Sequence, residues 1–441
     1  IPIMIDSYFH EMHSVFNGLK KHLSPNSRVL IDIGDSIFAG VHVKTDDILI
    51  EVLGNVGYQL IEKVLLRKRR SRDKSILSQV LLVFQIAPST KPSIQLAQNS
   101  YYWKNEWVQF KKTLPHQKGA YLKKNWGHPN HSLCSYGGKL KPAIAHFLVK
   151  TFVPEGGFVF DPFSGVGTIP FEAALNGRKA FGLDISAPAY YISAAKVSKP
   201  DASESFAYLG MMRSYIDQNQ ATVSELQGAK IFGFNKKISD YFEETTLKEL
   251  LLARRFIAIH PPQKPSEMYV IAALLHVLHG NRPYALSRRS HPITPYAPTG
   301  EFEYRNVCQK VADKLDRVFG QSLPDNFTEG EIYWHDATTE WPQKINNLNA
   351  VITSPPFFES TRFYLANWMR LWLCGWNLSD FKTKPAVFVE ERQRLGFEVY
   401  ENIYRQARER LRSGGVLVFH LGQSKKCNMA EKILETSKRY F

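Results

Sequence analysis

Two short stretches of this chain carry the residue types that hold a ligand at the end of a strand. In the first, Phe158-Val-Phe-Asp161-Pro-Phe163-Ser-Gly165-Val-Gly167-Thr168, an apolar run ends in an acid and then in a glycine-bearing turn. Glycines there let the backbone approach a bound molecule and turn sharply into a helix, expected from about Ile169 to Leu175, whose free N–H groups face that molecule. A second apolar run, Ala180-Phe-Gly-Leu183-Asp184, ends some 20 positions later in a carboxylate that can accept both hydrogens of a ribose diol. By spacing alone this suits a nicotinamide dinucleotide equally well. The second stretch follows Ala350-Val-Ile352 and reads Thr353-Ser354-Pro355-Pro356-Phe357. Consecutive prolines restrict the backbone, so the Pro355 carbonyl and the Ser354 hydroxyl can point into one cleft as two fixed acceptors. An NH2 group conjugated to a ring is a poor nucleophile; accepting both its hydrogens favours a more tetrahedral nitrogen and stabilises the positive charge developing there. Phe357 would then stack on a base flipped out of its helix.

The elements around these stretches alternate between strand and helix, which calls for an α/β fold. A helix from Pro142 to Val153 and the turn Pro154-Glu-Gly-Gly157 precede the first stretch. Near the N-terminus, Met12, Phe16, Leu19 and Leu23 repeat at helical spacing before the turn Ser24-Pro25-Asn26, and Arg28 to Gly34 reads as a buried parallel strand. Thr45-Asp46-Asp47 opens a helix through about Gly57. Tyr58–Leu66 and Val80–Phe84 flank the basic turn Arg67–Lys74 as an antiparallel hairpin. The C-terminal segment repeats part of this: displaced by 388 positions, Phe16 falls on Tyr404, Leu23 on Leu411, Gly34 on Gly422 and Ser36 on Ser424. One sheet does not need two copies of the same strand, so residues 1–94 read as the last part of one domain. Residues 95–130 read as a polar, basic linker, and 131–441 as most of a second domain. The chain opens on Ile1 and ends on Tyr440-Phe441 directly after an amphipathic stretch, which we read as the trimmed ends of a longer protein.

The composition suits packed cores, with 44% hydrophobic residues and 13% aromatics. A formal charge of +15 points to a polyanionic partner without specifying it. Cys134, Cys308, Cys374 and Cys427 lie far apart, with neither metal-type spacing nor the density of a disulfide framework, as expected of a reducing cytoplasm. No metal cluster, membrane span or signal peptide is read. His146 and His276 sit among apolar residues at helical spacing and are expected to pack rather than react. Between the two ligand-holding stretches, residues 200–330 exceed what a sheet connection needs. Within them Arg282, Tyr284, Arg288 and Arg289 interleave cations with an aromatic ring, as phosphate contacts and base stacking require, although a solvated basic loop would carry the same letters.

Taken together, Asp161-Pro-Phe-Ser-Gly-Val-Gly-Thr168 followed by Ser354-Pro-Pro-Phe357 resembles the amino methyltransferases of DNA. The resemblance implies a Rossmann-like methyltransferase sheet with a closing antiparallel hairpin, S-adenosylmethionine as methyl donor, and DNA as partner, with a companion restriction endonuclease. It covers about 120–441, and it extends to 1–94 as a partial second copy of the same fold that lacks both motifs. By the same resemblance Tyr136-Gly137-Gly138-Lys139 cradles the methionine portion. Asp161, Phe163, Gly165, Gly167, Thr168 and Asp184 surround the donor, and Asp336 lies near its adenine amine. Ser354, Pro355, Pro356 and Phe357 hold the base, and residues 200–330 supply target recognition. Family adenine enzymes usually carry Asp or Asn before Pro-Pro, so Ser354 favours cytosine N4 over adenine N6. An RNA guanine-N2 enzyme and a non-catalytic DNA-binding subunit are the alternatives. No Pro-Cys nucleophile of the cytosine-C5 type is present.

Overall fold

The computed structural model describes residues 2–20, 22–23, 27–38, 41–70, 76–86, 102–123, 126–199, 201–291, 297–359, 362–422 and 427–441. The chain divides into two compact units, 1–101 and 102–441. The turn at Ser24–Asn26, the tip of the basic hairpin at 71–75, the stretch 87–101 and Ser424 fall outside the described residues.

The first unit runs α1 (Pro2–Lys20), β1 (Arg28–Gly34), β2 (Ser36–Phe38), β3 (Val41–Val43), α2 (Thr45–Val56), β4 (Tyr58–Arg70) and β5 (Ile76–Ile86). β4 and β5 form the expected antiparallel hairpin, and β5 also pairs with β1, giving the order β1-β5-β4; β1, expected as a buried parallel strand, is antiparallel, and only its Ile33 is buried. Phe9 and Phe16 of α1, Leu49 and Leu53 of α2, and Tyr58, Leu82 and Phe84 of the sheet make one apolar cluster. The Tyr58 hydroxyl, carried into that cluster, donates to the Phe16 carbonyl at 2.9 Å, which spares it an unsatisfied buried donor. Arg67 to Arg70 stand exposed on the far end of β4.

In the second unit, residues from Tyr102 onward, expected to belong to a linker, fold as α3 (Tyr102–Thr113) against α4 (Pro142–Phe152). Trp103 and Trp107 lie 5.8 and 5.3 Å from the Phe152 ring, and partly burying two indoles outweighs the polar character that marks this stretch as a connector. Then follow β6 (Phe158–Asp161), α5 (Thr168–Leu175), β7 (Lys179–Asp184) and α6 (Ala187–Lys196). The long interval contains α7 (Ala202–Gln218), α8 (Val223–Ile231), α9 (Glu244–Ile259), α10 (Pro265–Val277) and α11 (Val307–Phe319). The remainder is β8 (Glu331–Trp334), β9 (Leu348–Thr353), four short helices α12 to α15 (Phe363–Ala366, Trp368–Leu373, Asp380–Thr383, Val389–Arg392), α16 (Glu401–Arg410), β10 (Leu411–Phe419) and α17 (Met429–Ser437).

The sheet of this unit has the order β10-β9-β6-β7-β8, with every pair parallel. Numbered along the unit from β6, this is the doubly wound order 3-2-1-4-5. β6 and β9 are neighbours from which the chain departs in opposite directions, and such a switch point leaves a crevice at the carboxyl ends of its two strands. Both stretches that the sequence singles out begin there, after Asp161 and after Thr353. β9 is buried along its whole length, as a central parallel strand of Leu, Ala, Val and Ile should be. The antiparallel hairpin belongs to the first unit.

The helices of the interval are core rather than appendage. α10, apolar on all sides over Met268-Tyr-Val-Ile-Ala-Ala-Leu-Leu275, is buried over most of its length and joins Tyr191 and Ile192 of α6 and Leu315 of α11 in one cluster. Leu274 is fully buried within that cluster. Leu274→Ala is expected to cost about 2–5 kcal/mol of stability, read from the urea midpoint of the second unit's transition; a loss under about 1 kcal/mol would show that α10 is not core.

Candidate active site

The crevice at the switch point opens into a cleft of about 1070 Å³. One wall comes from Asp161, Phe163, Gly165, Thr168 and Asp184, and a second from Gly138 and Lys139; Asp336, Ser354 and Pro356 complete the set that the sequence singled out. The structure therefore brings together residues as far apart as Gly138 and Pro356. Gly167, Pro355 and Phe357 do not line it.

Asp161 ends β6 and is almost fully buried. Its carboxylate accepts from the Thr353 hydroxyl at 2.6 Å and from the Phe163 N–H at 3.1 Å, which ties β6 to β9 at the mouth of the crevice. Burial, reinforced by the charge of Asp184, pushes this carboxyl up to about 7 against those two hydrogen bonds. Asp184 ends β7. Burial pushes it up to about 6, although the N–H groups of Gly165 (2.9 Å) and Ser186 (2.8 Å) both donate to it. The acid at the end of the second strand thus also holds the glycine turn that follows the first. Gly167 does its work from below the cleft. Its φ is +70°, and a Cβ there would lie 2.3 Å from Ser193 Oγ, so the turn into α5 closes only with glycine at that position.

The Tyr136–Lys139 wall hangs on three cations that donate to backbone carbonyls. Lys314 of α11 reaches Ser132 O (3.0 Å), Lys139 reaches His131 O (2.7 Å), and the fully buried Arg370 reaches Ser135 O (2.7 Å). His276 of α10 accepts from the Ser135 N–H at 3.2 Å. His276 is thereby a positioning acceptor, while His146 binds Glu172 at 3.0 Å. Gly138, at φ +73°, lies so close to Phe363 that a Cβ would meet its ring at 2.3 Å. Lys139 contributes to the cleft while its ammonium is spent on the chain.

Ser354, the first residue past β9, has its hydroxyl 3.2 Å from Nδ1 of His420, the first residue past β10. Phe357 packs on the other side of the loop, 6.1 Å from the His420 ring and tight against Gly422, whose Cβ position is 2.6 Å from the Phe357 ring. The ring that does face the cleft near Gly138 is Phe363. Asp336 accepts from the Thr338 N–H and hydroxyl, both at 2.8 Å. The basic group of the interval is separate, since none of Arg282, Tyr284, Arg288 and Arg289 lines the cleft. Arg282 and Arg289 are exposed. Arg288 is held by Gly300 O (2.8 Å) and the Phe302 ring, and Tyr284 lies between His276 and Arg317.

Sequence reasoning missed two titratable groups. His420 had no signal beyond its place at the end of a strand. Glu390 had none at all: it sits in a short helix and lines the cleft, accepting from the Phe363 N–H at 2.9 Å and, more weakly, the Tyr364 N–H at 3.4 Å. Burial pushes its carboxyl up to about 7. A carboxyl raised in the folded state binds its proton more tightly there than in the unfolded chain, so its contribution to stability is full below about 4.5 and is lost as pH rises through about 7. Glu390→Gln keeps an acceptor and cannot ionise. We expect the fall in urea midpoint between pH 5 and 8 to be smaller in this variant than in the parent; an unchanged pH slope would refute the assignment.

Residues 4–196 match the model of the DNA methylase family. No curated protein matches the chain. Among solved structures, a candidate DNA modification methylase from Thermus thermophilus is similar in its selenomethionine form at 20% identity, over 43% of this chain and 78% of that one, with a TM-score of 0.17. The same protein complexed with S-adenosyl-L-methionine gives 18% identity over 43% and 76%, also with a TM-score of 0.17. The family match runs from the first unit through Gly138, the Asp161–Thr168 turn and Asp184, and over those residues the chain is similar to the DNA methylase family.

Proposed function

We propose that this protein transfers a methyl group from S-adenosylmethionine to N4 of cytosine at a specific site in DNA. The observation that carries the reading is the shared cleft: the glycine turn, with Asp161 and Asp184, and the Ser354-Pro355-Pro356 loop flank one switch point. The donor fits this lining on charge and shape. Asp161, Asp184 and Glu390 are three carboxyls that burial keeps partly protonated, and a sulfonium with an ammonium group is the kind of cation that would return them to the ionised state. Asp184 is the group to accept from the ribose hydroxyls, Asp336 from the adenine amine, and the Gly138 wall lies against the methionine portion. When bound, S-adenosylmethionine supplies an activated methyl group.

The protein's own part is to hold the amine. The Ser354 hydroxyl, which lines the cleft, accepts one of its hydrogens, and the carbonyl of Pro355, a residue of the same loop that does not line the cleft as it stands, is the second acceptor; two acceptors favour the tetrahedral nitrogen that attack requires. A base reaching this cleft must leave the duplex stack, and Phe357, now packed on Gly422, is the aromatic ring in the same loop. Exposed Arg282 and Arg289, with the basic strand end at Arg67–Arg70, suit phosphate contacts. In this reading the protein acts on DNA in the cytoplasm, with a restriction endonuclease as companion.

Incubation with labelled S-adenosylmethionine and unmethylated DNA, followed by nucleoside mass spectrometry, should give N4-methylcytosine. N6-methyladenine would move the target to the other base, and label in RNA alone would overturn the DNA assignment. Ser354→Ala should lower the rate by about 100-fold with little change in donor affinity. Because three cleft carboxyls ionise as pH rises through about 6 to 7, calorimetric affinity for S-adenosylmethionine should rise over that interval, and affinity for S-adenosylhomocysteine, which lacks the sulfonium charge, should rise less. Equal pH slopes would remove these carboxyls from donor binding.

A further inference from the structure

The first residues past β9 and β10 stand side by side. Phe419 is in register with Thr353 in the parallel pair, the His420 N–H donates to the Thr353 carbonyl at 2.8 Å, and His420 Nδ1 then lies 3.2 Å from the Ser354 hydroxyl. A hydroxyl has one hydrogen and two acceptor lone pairs. If that hydrogen goes to a neutral imidazole, both lone pairs are left for the cleft, which is the polarity an NH2 group needs. If the imidazole is protonated, Nδ1 donates instead, and the hydroxyl hydrogen turns toward the amine and opposes it.

We propose that His420 orients Ser354 and takes up, through it, the proton that the methylated amine must lose. This rests on the amine methylation proposed above. The balance is closed: the carbon–sulfur bond of the donor breaks as the carbon–nitrogen bond forms, leaving a neutral thioether and a positively charged nitrogen. That nitrogen gives a proton to Ser354 Oγ while the hydroxyl's own proton passes to Nδ1. The imidazolium later releases a proton to water.

The surroundings of His420 keep it neutral at rest. Burial lowers its proton affinity first, and the charge of His116, in the turn at 115–117 facing it, lowers it further. Burial, and after it the charge of Lys141, in turn lowers His116. On the β9 side Ser354 and Thr353 are uncharged, and the Thr353 hydroxyl is engaged with Asp161. Phe357 covers the ring. His420 acts through Ser354 and is a positioning residue.

His420→Asn tests the idea, because the amide oxygen can stand in for Nδ1 as an acceptor and cannot take a proton; His420→Gln serves if the Asn variant does not fold. With the parent methylating DNA, we expect kcat to fall about 100-fold, with KM for DNA and donor affinity within about twofold. The acid limb of the kcat profile at saturating donor, with its midpoint below 6.5 in the parent, should disappear. In isotope-labelled histidine NMR of the protein without donor, His420 should be the tautomer with hydrogen on Nε2, and Ser354→Ala should shift its titration midpoint. A variant with parental kcat and acid limb, or hydrogen on Nδ1 at neutral pH, overturns the relay and leaves amine methylation standing. A parent that methylates no nucleic acid overturns both.

Discussion

The hydrogen bond from the Thr353 hydroxyl to the Asp161 carboxylate is the constraint on which the rest of the site depends. It joins the ends of two strands 192 residues apart in sequence, at the point where the sheet's connections reverse direction. On one side it fixes the turn that begins at Pro162, and on the other the loop that begins at Ser354. A buried carboxylate needs such partners: two donors offset part of the cost of burial, and the remainder is visible in a carboxyl raised to about 7. The glycine turn is then secured a second time by Asp184, so two strand-end acids set one loop.

The opposite wall is held by a different principle. Segment 131–139 has little regular structure, yet Lys314, Lys139 and Arg370 each donate to one of its carbonyls from a buried or half-buried position. Cations placed on carbonyls satisfy the backbone that a strand or helix would otherwise satisfy. Because Lys314 and His276 belong to α11 and α10, the long interval between the motifs shapes this wall of the cleft in addition to presenting its exposed basic loop. The acidic and basic sides of the cleft are thereby separated: carboxyls face its interior, and cations serve its scaffold.

Much of this was legible in the sequence wherever a local rule forces the outcome. Glycine at 165 and 167, an acid closing each apolar run, and Pro-Pro after Ser354 are single-segment signals, and the structure gathers most of those residues around one cleft. Composition alone marks residues 95–130 as linker, because it registers lysine and proline but not the two indoles that α3 lays on Phe152. Glu390 and His420 were invisible for a geometric reason. Each matters through a neighbour distant in sequence, Phe363 for one and Ser354 for the other, and such pairs leave no spacing to read. Phe357 shows the same limit in reverse: its motif was clear, and its packing on Gly422 was decided by another strand.

The doubly wound order also has a consequence in time. Asp161 leaves the ribosome 192 residues before Thr353, an interval of about 10 to 40 s at ordinary rates of synthesis. Through that interval the edge of β6 that β9 will cover has no permanent partner, and Asp161 remains a solvated, ionised carboxylate. Contacts of such sequence separation form late because chain entropy must be lost before they form. A nascent chain of this protein therefore carries a half-built sheet with an open hydrophobic edge while those 192 residues are made, and that edge is where a chaperone or a premature association would act first.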